Sequence, residues 1–314
     1  MEDRRPLGTL AVSPLSLGGN VFGWTADESA SFAVLDAYLA AGGNFIDTAD
    51  VYSAWVDGNA GGESETVIGK WLAERGSSVR DQVVIATKVG ALAPNNGLAA
   101  TTIKAAVEDS LRRLRTDRID LYYTHYDDES VEVSEFLTAL DALVKEGKVR
   151  EIAASNISPA RLQESLDFSA REGLARYVGL QPHYNLMSRD TYEGELERIA
   201  AREGLGVMPY YALASGFLTG KYRPGTEPEG ARASRVADYL ASERGQRVLR
   251  ALDEVARAHD ASAATIALAW LAAQPTVTAP IASARKVDQL PALMAVGGTV
   301  LTEDELAKLT EASA

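Results

Sequence analysis

Cysteine is absent from this chain, which removes disulfides, thiolate nucleophiles and cysteine-based metal sites at once. Histidine is scarce. His125, His183 and His259 lie far apart and no His-Glu-x-x-His pattern occurs, so metal catalysis has little to build on. Positive charge is also short: 31 Lys and Arg stand against 44 Asp and Glu, a formal net charge of −13. A protein this acidic repels nucleic-acid phosphates and anionic lipid. Its densest basic cluster, Arg112-Arg113 with Arg115, falls on a predicted helix and reads as a solvated face. No apolar run approaches the ~20 residues of a membrane helix. Residues 1–6 hold no apolar stretch for a signal peptide, despite Arg4-Arg5. The expectation is a cytoplasmic protein without nucleic-acid or membrane partners, its oligomeric state left open.

Two nucleotide-binding motifs are missing as well. There is no Gly-x-Gly-x-x-Gly, so a Rossmann site has no support, and Gly216–Tyr222 is one residue too short for a phosphate-binding P-loop and ends in Tyr. Asn156-Ile157-Ser158 fits a glycosylation sequon but reads better as the end of a strand.

What is present is a regular alternation of short apolar runs with helical patterns, in 314 residues that are 46% hydrophobic. Candidate strands are 15–17, 44–46, 83–87, 119–124, 152–155, 177–181, 206–210 and 277–281. Between them, apolar residues recur at three- and four-residue spacing, as in Phe32, Leu35, Leu39 and in Leu137, Leu140, Leu143, Val144. Gly42-Gly43, Gly147 and Gly204 suit helix C-termini. Nearly continuous apolar strands alternating with helices belong to a parallel sheet covered on both sides. With no linker and the same pattern from end to end, the expectation is a single (β/α)8 TIM barrel over residues 1–314. Two long connections interrupt the rhythm, 53–62 and 223–238, and loops of that length are commonly functional.

In such a barrel the active site lies at the C-terminal ends of the strands. Several strands end there in polar groups: Asp47, with Tyr52 in the next loop, then Lys88, His125, Ser155 with Asn156, and Gln181. The set has a coherent chemistry. A phenol with a reference pKa near ~10 is a poor acid at neutral pH, an adjacent ammonium is expected to lower that value, and a carboxylate can hold the ammonium in place. Tyr52, Lys88 and Asp47 suit those three roles. His125 can then orient a substrate oxygen that becomes negative, as a carbonyl oxygen does when hydride adds to its carbon.

These residues carry a family resemblance. Gly43–Tyr52, Ile85-Ala86-Thr87-Lys88 and Asp120-Leu121-Tyr122-Tyr123-Thr124-His125 resemble the signature segments of the aldo-keto reductases. Similarity continues through Ala154-Ser155-Asn156, Leu180–Leu186, Gly216–Tyr222 and Ala279–Arg285. The resemblance implies an NADPH-dependent reductase of aldehydes or ketones, with Tyr52 as general acid, Lys88 and Asp47 as its tuning pair and His125 as orienter. It also implies that Ser155, Asn156 and Gln181 hold the nicotinamide carboxamide, that Tyr210 stacks on the ring, and that Asp47 meets the ribose. Leu213, Gly216, Leu218 and Lys221 match the pyrophosphate loop, and Ser283, Arg285 and Gln289 the 2′-phosphate region. Departures occur at Tyr211-Ala212, where the family often has Ser-Pro, at Ser283 in place of glycine, and at Ala292 and Leu293, where many members have a carboxylate and an asparagine.

Trp24, Trp55, Tyr126 and Phe22 fall on rim loops and are candidates for an aromatic substrate pocket, whose small-molecule carbonyl partner the sequence does not identify. The potassium-channel β-subunits share the family resemblance, so a coenzyme-sensing regulatory or binding protein remains the alternative to an enzyme.

Overall fold

The computed structural model describes residues 4–94, 96–223, 225 and 233–314. It opens with a small antiparallel hairpin, β1 (Arg5–Leu7) and β2 (Leu10–Val12). Eight parallel strands follow: β3 (Ser16–Gly18), β4 (Phe45–Asp47), β5 (Val84–Val89), β6 (Ile119–Thr124), β7 (Val149–Ser155), β8 (Tyr177–Gln181), β9 (Gly206–Val207) and β10 (Ile281–Ala282). Each pairs with its sequence neighbour, and β10 pairs with β3. The remaining seam is bridged by backbone hydrogen bonds from the run entering β10. Val207 N–H donates to Thr276 O (3.0 Å), Thr278 N–H to Val207 O (2.8 Å) and Ile281 N–H to Pro209 O (2.9 Å). The architecture is the expected (β/α)8 barrel.

The expected strands all occur; 119–124 and 177–181 keep their ends and the others shift. Two are much shorter than predicted: 206–210 reduces to β9, and 277–281 gives way to β10, which shares only Ile281 with it. Both lie where prolines interrupt the ladder, at Pro209 and Pro280. Loop 53–62 is a run of turns pinned by Ser53 Oγ to Phe22 O (2.9 Å) and by Asn59 Nδ2 to Ser53 O (3.0 Å). The second predicted connection, 223–238, is shorter than expected because a helix begins at Ala233; residues 224 and 226–232 lie outside the described residues.

Strand alternation sorts the side chains into two sets. Phe45, Val84, Ala86, Leu121, Tyr123, Ala153 and Met208 fill the barrel interior, with Leu7, Leu10 and Val12 of the hairpin packed on them. The hairpin therefore plugs the end opposite the rim, and Asn44 ties it down by donating to Ala11 O (2.9 Å). Ile46, Ile85, Tyr122, Ile152 and Leu180 face outward into the larger core shared with the helices.

One close contact makes a sharp test. Gly69, in the helix Glu63–Arg75, faces the end of the helix Ala100–Leu114, and a Cβ there would stand 2.0 Å from Arg113 O. Helix propensity alone would make Gly69→Ala stabilising by ~1 kcal/mol, but overpacking against backbone costs about 1–3 kcal/mol. We expect a net loss of stability on urea unfolding; a gain would contradict this packing.

Candidate active site

The interior parity that places Phe45, Ala86 and Tyr123 inside also brings Asp47, Lys88, His125, Ser155 and Gln181 to the inner rim. Lys88 and Asp47 are essentially inaccessible to solvent. Lys88 Nζ lies 2.8 Å from both Asp47 carboxylate oxygens, 2.7 Å from Thr48 O and 3.0 Å from Tyr52 Oη. Four oxygens around one nitrogen, three of them able only to accept, call for the ammonium form. Asp47 also accepts from Gln181 Nε2 (2.8 Å) and, more loosely, from Tyr52 Oη (3.3 Å). Lys88 Nζ sits 4.7 Å from the centre of the Tyr52 ring. The four tetrad candidates thus converge, with His125 stacked on Tyr126 (4.8 Å) and its ring 6.1 Å from that of Tyr52.

The electrostatics depart from the sequence expectation at one point. Burial first, and the Asp47 carboxylate second, hold the Tyr52 phenol well above its ordinary pKa. The expected lowering by Lys88 is not seen, because the ammonium's charge is already matched by the carboxylate that grips it. Burial likewise draws the Lys88 ammonium below an ordinary lysine, with Asp47 opposing. His125 is held far below the usual imidazole range by burial and then by Lys88, and its Nδ1 has no hydrogen-bond partner among the described residues. The site therefore presents a protonated phenol beside a neutral imidazole.

Around it, the candidate coenzyme residues form a connected network. Ser155 Oγ donates to Gln181 O (2.9 Å), Asn156 Nδ2 to His125 O (2.8 Å), and Tyr210 Oη to Asn156 Oδ1 (2.8 Å). His183 is stacked on Tyr210 at 5.3 Å. The chain then passes through left-handed conformations at Ala214, Ser215 and Gly216 (φ 46°, 60° and 94°), and such strain in non-glycine residues gathers at ligand sites. A Cβ on Gly216 would stand 3.8 Å from Lys221 Nζ, so an ammonium overhangs this turn, while Leu213 is half-buried and the Leu218 side chain is wholly buried. At the far end, Arg285 is exposed and Ser283 Oγ donates to Asn20 Oδ1 (2.6 Å). Gln289 is exposed and folds back on its own loop, its Oε1 accepting from Arg285 N–H at 2.7 Å.

Several sequence readings need correction. Phe22 is fully buried in the core, away from any pocket surface, whereas Trp24 meets Trp55 edge to face at 5.5 Å and Trp55 meets Tyr52 at 6.1 Å. His259 pairs with Glu305 at 2.9 Å. Arg113, read as solvated, instead donates to the buried Glu65 (2.6 Å), whose other oxygen accepts from Thr87 Oγ1 (2.5 Å). A groove of about 710 Å³ lies outside the barrel, between the helices Pro159–Glu172 and Glu195–Glu203, and has none of these groups.

Among known proteins, the model of the aldo/keto reductase family matches residues 14–314, and the chain belongs to that family. Protein tas of Escherichia coli is 34% identical over 98% of this chain and 95% of its own length. Norsolorinic acid reductase B of Aspergillus parasiticus is 34% identical, covering 96% of this chain and 81% of its own. An NADP+ aryl-alcohol dehydrogenase of Phanerodontia chrysosporium is 32% identical over 90% and 77%. The family's chemistry is oxidoreduction with a nicotinamide coenzyme, in the sense of carbonyl reduction. Among the described residues no helix is long and apolar enough to cross a membrane, and none of their acidic and histidine side chains group as a metal site.

The Glu65 cluster behind Lys88 also generates a pH prediction. Asp50, 2% exposed and with its Oδ1 unpartnered among the described residues, has its pKa raised to about 7 by burial and then by Glu65, against the pull of Arg113. The folded chain thus keeps a proton that the unfolded chain loses near pH ~4. The destabilisation is absent below that pH and complete once pH passes about 7, reaching on the order of a few kcal/mol. Asp50→Asn should therefore stabilise the protein relative to wild type more at pH 8 than at pH 5 in urea titrations. An equal difference at both pH values would contradict the shift.

Proposed function

We propose that this protein is an NADPH-dependent reductase of planar, aromatic aldehydes or ketones, with Tyr52 as general acid. The observation that carries the reading is the triad at the inner rim: a half-buried phenol that keeps its proton, held against a buried ammonium and carboxylate. The chemistry that a nicotinamide held there would supply is hydride for the carbonyl carbon. This chain's part is to hold the carbonyl oxygen against Tyr52 Oη and His125, so that the phenolic proton passes to that oxygen as it becomes negative. Lys88 then faces a phenolate 3.0 Å away, whose charge it stabilises. The neutral His125 can donate a hydrogen bond to the oxygen without bringing a second positive charge.

The residues present fit the coenzyme. Ser155, Asn156 and Gln181 bring amide and hydroxyl groups together where a carboxamide would bind. Tyr210 offers an aromatic face, although His183 now stacks on it. The left-handed turn at 214–216 with Lys221 above it suits a diphosphate. Arg285, exposed past the last strand, suits a 2′-phosphate; Gln289 contributes by shaping its loop, and Ser283 lies nearby.

The substrate class rests on the rim. Among the described residues the large exposed aromatics are Trp55, Tyr126 and Tyr211. Trp55 meets the Tyr52 ring at 6.1 Å, Tyr126 stacks on His125 at 4.8 Å, and Tyr211 meets Tyr210 at 5.3 Å. Aromatic side chains left exposed around one polar centre suit a flat apolar ligand. The relatives named for aryl alcohols and for norsolorinic acid agree with that class.

Two measurements test the proposal. Tyr52→Phe removes the proton donor alone, and kcat for benzaldehyde reduction should fall by at least ~10²-fold with NADPH affinity retained. Wild-type turnover in this variant would overturn the assignment of the acid. Arg285→Ala should weaken NADPH by roughly ten- to hundredfold, as expected for one charge-assisted bond, and NADH hardly at all. Equal loss for both coenzymes, or none, would remove Arg285 from the site.

A further inference from the structure

Tyr211 is the least conventional residue on the rim. It stands in a left-handed conformation (φ 52°), which costs a bulky residue energy unless its surroundings hold it there. They do: Asn185 Nδ2 donates to its carbonyl (3.0 Å), and Tyr210 and His183 meet its ring edge to face at 5.3 and 5.5 Å. The side chain nevertheless remains 39% exposed. Over this ring, 5.4 Å from its centre, lies the guanidinium of Arg235.

Arg235 is placed by its helix. In Ala233–Ala241, Val236 and Leu240 are buried one turn apart, and Tyr239 packs against Phe217 at 5.2 Å. That seats the helix on the turn after Tyr211 and brings its first turn to the rim. Arg235 forms no ion pair with any described residue, in a chain whose net charge is −13. Its positive charge is felt at the rim, since after burial it is the main influence lowering the His183 pKa, with Asp190 opposing. Exposed aromatic surface and a guanidinium that pairs with no carboxylate among the described residues thus lie together at the rim.

Resting on the carbonyl-reductase reading above, we propose that Tyr211 and Arg235 form a specificity subsite that takes the anionic substituent of an aromatic carbonyl substrate, a carboxylate being the simplest case. Tyr211 lays the substrate ring against the rim, and Arg235 meets the negative group at the end away from Tyr52. Guanidinium suits both tasks, because it stacks on aromatic faces and pairs with carboxylate oxygens two at a time. The substrate is then read at both ends, by proton donation at its carbonyl and by charge at its far edge.

The test compares benzaldehyde with 4-carboxybenzaldehyde on the full-length protein, with NADPH affinity measured separately by fluorescence titration. Wild type should favour the carboxylated aldehyde in kcat/KM by about tenfold, the low end for one charge-assisted contact at a partly exposed site. The preference should fall as salt rises. Arg235→Gln should abolish it through KM while leaving benzaldehyde turnover and NADPH affinity unchanged. Tyr211→Ala should raise KM for both aldehydes. An unchanged preference in Arg235→Gln would overturn the subsite. So would a loss of NADPH affinity in that variant, which would place the guanidinium on the coenzyme's phosphates instead. Failure of the reductase reading itself would look different, since neither aldehyde would then be turned over by wild type.

Discussion

Everything at the rim depends on the burial of one ammonium. Lys88 is wholly enclosed, and an unpaired charge in that position would cost several kcal/mol. The fold meets that cost with oxygen: both carboxylate atoms of Asp47, the carbonyl of Thr48 and the phenol of Tyr52. Because Asp47 pairs with Ala86 on the adjacent strand, two residues before Lys88 and on the same face, the barrel itself sets the separation of the ion pair. Tyr52, five residues beyond Asp47, is returned to the same point by the turns of loop 51–54. Removing either charge leaves the other buried and alone, so the pair is both a structural joint and the source of the site's electrostatics.

The same parity explains a second, outward-facing layer. Thr87, one residue before Lys88, points away from the barrel interior and donates to Glu65, which Arg113 neutralises from a second helix. Asp50 lies in that layer, under the influence of Glu65, Arg113 and Lys88. Strand β5 thus separates two ionic clusters, one facing the substrate side and one binding helices to the wall. The close approach of the two helices at Gly69 lets Arg113 reach Glu65.

Much of this was legible in the sequence because the signals are local. Apolar strands alternating with amphipathic helices gave the barrel, and polar residues at successive strand ends gave Asp47, Lys88, His125, Ser155 and Gln181. What escaped depends on partners distant along the chain. Arg113 looked solvated because its helix is charged, yet its partner Glu65 lies 48 residues away. His259 likewise pairs with Glu305 on the final helix. The plugging hairpin consists of two three-residue strands, too short to show a period. The direction of the Tyr52 shift could not be read from residue types, since it turns on burial and on which neighbour Lys88 grips more closely.

The central claim is that this constellation delivers a proton to a carbonyl oxygen while hydride reaches the carbon. The most direct test follows the atoms. The protein is incubated with benzaldehyde and NADPH carrying deuterium at the pro-R position of C4, and the alcohol is analysed by mass spectrometry and NMR. The account predicts benzyl alcohol with one deuterium on the carbinol carbon and none from the pro-S position. Tight NADPH binding with no labelled alcohol from any carbonyl offered would contradict it, and would make the protein a coenzyme-binding barrel instead of a reductase.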